Sequence, residues 1–156
     1  MISIRDYSLR LIEFRDRTQK ELCDKLKEKG YSENDIDDEI EFLKSYGYID
    51  DKRFAQHYIH DAINLKKWGK IRIRTELIRK GIDRDIIDDS IEEAFLDIED
   101  DRVLSQMQIR FKNSDFSNIK ERTRIFNFFM RRGFSAEEIK GAMNKMCSFD
   151  DIIYED

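Results

Sequence analysis

The residues best suited to chemistry in this 156-residue chain are cations set in two runs. From Lys66 to Arg84 eight bases stand against only Glu76 and Asp83, and the run includes Lys67, Lys70, Arg72, Arg74, Arg79 and Lys80. A second set, Lys120, Arg122, Arg124, Arg131 and Arg132, is interrupted by Glu121. Arginine forks match carboxylates and phosphates in two-point geometry, so these eleven residues are the candidate partner-binding set, facing an acidic protein surface or a nucleic-acid backbone. At helical spacing Ile73 and Leu77 point one way, Arg72 and Arg79 share another face, Arg74 stands apart, and Ile71 and Ile78 add a second apolar stripe. The competing explanation is local pairing. Asp85 to Asp101 holds nine acids and no base, and exposed ion pairs between such segments are worth little each.

Other chemistry finds less support. His57 and His60 lie three apart beside Asp61, but a metal needs further ligands and no HExxH spacing occurs. No GxSxG, GxxxxGK[ST] or GxGxxG motif is present. Cys23 and Cys147 are far apart and lack CxxC spacing, so neither a disulfide framework nor zinc is indicated. Trp68 beside Gly69 has the shape to stack on a base, although a tryptophan there more often fills a gap between helices. No enzyme, metal or cofactor is expected. The net charge of -5 argues against coating DNA by bulk positive charge. No apolar run approaches the roughly 20 residues that span a bilayer, and the opening segment carries charges, so a cytoplasmic location is expected.

The elements that must hold these residues are helices. There is no proline and glycine occurs six times, so helices meet few breakers. Gly30, Gly81 and Gly133 follow the similar segments "KLKEKGYS", "ELIRKGID" and "FFMRRGFS". Aligned on these glycines, apolar residues recur: Leu22, Ile73 and Ile125, then Leu26, Leu77 and Phe129 before them; Tyr31, Ile82 and Phe134 just after. Further on come Ile36, Ile87 and Ile139, then Ile40, Ile91 and Met143, then Leu43, Ala94 and Met146. The spacings are helical. Each glycine supplies a left-handed stop after a basic last turn, and Ser32, Asp83 and Ser135 cap the helix that follows, with Ser135 and Glu138 forming a capping box. A preceding helix is read from Ile4, Tyr7, Leu11 and Phe14; from Phe54, Tyr58, Ala62 and Leu65; and from Leu104, Met107 and Phe111.

The expected fold is all-α: three tandem three-helix repeats, 3–46, 51–97 and 99–147, in an elongated, curved array, with 148–156 as an acidic tail. "GYIDDKRFAQHYI", residues 47–59, is then a joint. Tyr48 and Ile49 pack there, Asp50 or Asp51 caps the next helix, and Phe54 begins its apolar face. The third helices of the first two repeats begin with "SENDIDDE" and "DRDIIDD", which would repel phosphates, so they are poor groove readers.

The same stretch with "KKWGKIRIRTELIRKGIDRDII" resembles the middle repeat of the RecX family, bacterial regulators of the RecA recombinase. "RDRTQKELCDKLKEKGYSENDI" looks like that family's first repeat, with Thr18 where serine is common, and "FMRRGFSAEEIKGAM" is similar to its third. The resemblance covers roughly residues 5 to 146. It implies a non-enzymatic regulator of recombination, DNA repair and the SOS response that binds RecA and its filament on single-stranded DNA and inhibits ATPase, strand exchange and coprotease activity. A monomer is expected, with weak contact to single-stranded DNA possible and none to membranes. The acidic charge balance departs from members that are basic overall and puts independent DNA affinity in doubt. Two rival readings are a single-stranded DNA binder competing for the lattice and a helical-repeat scaffold for another protein.

Overall fold

The computed structural model describes residues 1–99 and 101–153, with 149–153 as backbone only. Its described residues form nine helices and no strand. They fall into triplets: α1 (Ile4–Phe14), α2 (Gln19–Lys29) and α3 (Glu33–Ser45); α4 (Asp51–Asn64), α5 (Lys70–Arg79) and α6 (Arg84–Phe95); α7 (Arg102–Arg110), α8 (Ile119–Arg131) and α9 (Ala136–Ile153). α9 runs past Ser148 and takes in most of the stretch set apart as an acidic tail; Tyr154, Glu155 and Asp156 lie outside the described residues.

The helix ends follow from local chemistry. Gly30, Gly81 and Gly133 all adopt positive φ, where a side chain would crowd the backbone. The Ser32 hydroxyl accepts from Asp35 N–H, the Asp83 carboxylate from Asp85 N–H, and Ser135 with Glu138 closes a reciprocal capping box. A second capping box, Thr18 with Glu21, opens α2. Its signature, "TQKE", stands in the sequence but is absent from the expectations above.

Two compact units divide the chain, and the middle triplet is shared between them. The first comprises residues 1–61 and 74–94. Its α1–α3 core is Leu22, Leu26, Ile36, Ile40, Leu43 and Ile49, with Ile4, Tyr7, Leu11 and Tyr31 against it. The second comprises 62–73 and the chain from 95 onward. Its core is built on Met107, Ile125, Phe129, Phe134, Ile139 and Met143, with edge-on aromatic pairs among Phe111, Phe128, Phe129 and Phe134.

The first helices of the triplets differ in part from expectation. Phe14 ends α1 and is 82% exposed, and Leu65 lies beyond the end of α4 at 76%. Helical spacing continues through both, yet the helix stops there and nothing covers the last position. Ser8, Ala55 and Ile59 take the buried places instead.

Candidate functional site

The basic second helices are held by their ends, and the contacts recur in each unit. In the first unit the buried Thr18, N-cap of α2, donates its hydroxyl to the Lys80 carbonyl at the end of α5, at 2.7 Å. The Lys80 ammonium reaches Glu21 at 3.1 Å and lies 5.7 and 5.6 Å from the ring centres of Phe54 and Tyr58. A positive helix N-terminus thus meets a negative C-terminus. Burial opposes ionisation of Glu21, but hydrogen bonds from Arg15 and Lys80 outweigh it and hold the carboxyl below its usual range.

In the second unit the start of α5 meets the end of α8 in the same sense. Gly69 N–H donates to the Arg132 carbonyl at 2.7 Å and Ile71 N–H to the Gly133 carbonyl at 3.1 Å. Two arginines complete the joint: Arg72 donates to the Arg131 carbonyl at 3.1 Å and Arg132 to the Lys66 carbonyl at 2.9 Å. Burial first, then Arg110 and Arg72 nearby, pull Arg132 below the ordinary arginine value. Arg102, absent from the sequence-based candidates, donates to the Trp68 carbonyl at 2.8 Å, and burial lowers its value too. Trp68 carries cations near its face, Arg72 at 4.0 Å and Lys66 at 4.4 Å.

The eleven predicted contact residues therefore sort into two groups. Arg72, Lys80 and Arg132 are half-buried in the helix-end joints, and Arg74 makes a two-point pair with Asp88 at 2.9 and 3.4 Å. Arg79 is exposed and only loosely paired with Glu76, at 3.4 Å. Lys70 lies 4.9 Å from the centre of the Phe95 ring. Lys67 is exposed in the loop after α4, with a left-handed backbone. On α8, Lys120, Arg122, Arg124 and Arg131 are exposed, and no ion pair joins any of the four to a described residue.

The joint "GYIDDKRF" divides the work between its two acids. Asp50 caps α4 by accepting from Arg53 N–H at 3.1 Å. Asp51 reaches instead to Gln19 N–H at 2.9 Å, capping the start of α2 within the first unit. Burial is the main cause that pushes its carboxyl above the usual value. Ile49 is buried, but Tyr48 is exposed, contrary to the packing expected of it. His57 lies 3.9 Å from Asp16 and His60 3.5 Å from Asp61, and no three metal-ligating side chains gather among the described residues. Nor is any helix among them long and apolar enough to cross a membrane.

Three-helix repeats, with basic second helices capped and docked at their ends and cations left exposed on α8, are the class of fold these residues define. Family profiles described as "RecX, first three-helix domain" and "RecX, second three-helix domain" match residues 5–43 and 50–91. The regulatory protein RecX of Finegoldia magna is 34% identical over 142 residues, covering 87% of this chain and 69% of that protein. That of Clostridium tetani is 34% identical over 147 residues, covering 92% and 67%. The crystal structure of RecX from Lactobacillus salivarius has the same fold, with a TM-score of 0.77 at 23% identity over 91% of this chain and 93% of that one. The chain belongs to the RecX family.

Proposed function

We propose that this chain binds the RecA recombinase and its filament on single-stranded DNA, and by docking restrains ATPase, strand exchange and coprotease activity without a reaction of its own. The observation that carries this reading is the sorting of the cations. In a chain of net charge -5, Lys120, Arg122, Arg124 and Arg131 stay exposed with no ion pair to a described residue, whereas Arg72, Lys80 and Arg132 hold helix ends together and Arg74 is paired with Asp88. Unpaired surface cations steer association with an acidic partner and sharpen its orientation. Lys67, Lys70 and Arg79 extend the proposed set. A chain that prefers one filament state lowers every activity that requires another.

The test is DNA-dependent ATP hydrolysis by the cognate RecA with the chain titrated in and DNA binding measured separately. Charge reversal at Arg122 and Arg124 is expected to weaken inhibition while helical content is kept. Full inhibition by that variant removes α8 from the contact surface, and no inhibition by the unaltered chain overturns the function. If the chain instead binds single-stranded DNA tightly by itself, with a log–log salt slope of about 0.7 per phosphate neutralised, it is a lattice competitor.

A further inference from the structure

The cations of α8 do not stand on a uniformly polar helix. Ile119, Thr123, Phe126 and Met130 recur at spacings of four, three and four, which places them on one face of α8. Ile119 is 80% exposed and Met130 43%, and Thr123 is exposed between them. Phe126 is partly covered by the core and forms, with Met143, the floor of an open groove of about 260 Å³ whose edges are Arg122 and Lys140. By the same helical geometry Lys120, Arg124 and Arg131 lie on the far side of the stripe. Glu121, the only acid of α8, is turned toward the backbone N–H of Asp115. No ion pair joins Arg122 or Lys140 to a described residue.

We infer that this face of α8, with the groove against α9, is a docking site for an acidic polypeptide segment carrying apolar anchor residues. The inference deepens the docking reading above by assigning the chemistry of one contact. A phosphate backbone would satisfy the cations but leave Ile119 and Met130 against charge, and neither has the flat ring that stacks on a base. An acidic segment with apolar residues at helical spacing satisfies both halves of the surface: its anchors cover the stripe and its carboxylates face the cations on either side. Charge complementarity sets orientation, and the buried apolar area supplies affinity.

The probe is a fluorescein-labelled synthetic helix of glutamates bearing a leucine stripe, titrated with the full chain and followed by anisotropy. A matched peptide of equal charge, with glutamine for leucine, is expected to bind about ten-fold more weakly. Ile119→Gln and Met130→Gln each weaken the leucine probe by about ten-fold with an unchanged circular dichroism spectrum, because both residues are exposed. Arg122→Glu combined with Lys140→Glu abolishes binding. Equal binding of the two peptides, or none, overturns the inference. So does displacement of the leucine probe by an oligothymidylate whose own binding ignores Ile119→Gln, which makes the face a nucleic-acid contact. Probe binding by a chain that fails to inhibit RecA retires the function proposed above and leaves this site standing. Full inhibition by a variant that has lost probe binding leaves the function standing and shows that it does not act through this site.

Discussion

The joint between α2 and α5 and the joint between α5 and α8 bring the same helix ends together by different means. In the first, the contact is side chain to carbonyl, from the Thr18 hydroxyl, backed by the Lys80–Glu21 pair. In the second it is backbone to backbone, from Gly69 and Ile71, with arginines on the remaining carbonyls. The glycines record the difference. A Cβ on Gly81 would meet the Lys20 side chain, one on Gly133 would meet Arg72 backbone and Cβ at 2.3 Å, and one on Gly69 would meet the Gly133 carbonyl oxygen at 2.4 Å. Gly30 has the same left-handed backbone and nothing within 4 Å. One sequence signal, a glycine after a basic turn, thus serves as a helix stop in all three places and as a docking surface in two.

Alanine substitutions turn that comparison into a ladder. Gly133→Ala is expected to cost about 3 kcal/mol, the left-handed penalty plus an overpacked rigid neighbour. Gly81→Ala is expected to cost about 2 kcal/mol, because its neighbour is a lysine chain that yields more readily. For Gly30→Ala the expectation is about 1 kcal/mol, the backbone penalty alone. Urea midpoints for the three variants check the order, and equal losses would show that docking adds nothing to the helix stop.

The polar joint is tested by Thr18→Ala, which removes both the N-cap and the donor to the Lys80 carbonyl. A loss of about 1.5 kcal/mol is expected, with Thr18→Ser retaining most of the stability in the same denaturation series.

Glu21 and Asp51, both in the first unit, give opposite pH responses. The depressed Glu21 contributes stability above the ordinary glutamate range and loses it as pH falls through its folded value. The raised Asp51 contributes stability below the ordinary aspartate range and loses it as pH rises through its folded value. Glu21→Gln should therefore flatten the acid limb of a stability–pH profile, and Asp51→Asn should steepen it. A profile indifferent to both would sink the electrostatic account of this joint. The smallest effect belongs to Arg74→Ala: the exposed pair with Asp88 is screened by solvent, and the urea midpoint should stay within error of the unaltered chain.

Much of the fold was legible because it depends on short-range rules. Leu22, Leu26, Ile36, Ile73, Leu77, Ile87, Ile125, Phe129 and Ile139, read from spacing alone, are all buried, and the three stop glycines adopt positive φ. Phe14 and Leu65 were misplaced because periodicity does not reveal where a helix ends or what covers its last turn. The binding set was only partly legible. A row of bases looks alike in sequence whether a member donates to a carbonyl sixty-odd residues away, as Arg132 does to Lys66, or stands open, as Arg124 does. Asp51, offered with Asp50 as a cap of α4, caps α2 instead, and Arg102 went unassigned, for the same reason: each has its partner more than thirty residues distant.

By itself the sequence determined the helices and their caps, since each rests on interactions within about one or two helical turns. Only the tertiary structure decided which glycines receive a neighbouring helix, which cations are consumed in holding it and which are left with an apolar stripe between them. Those outcomes depend on distance through space, and equal residues at equal spacing become unequal once one has a carbonyl or a ring beside it and another has solvent.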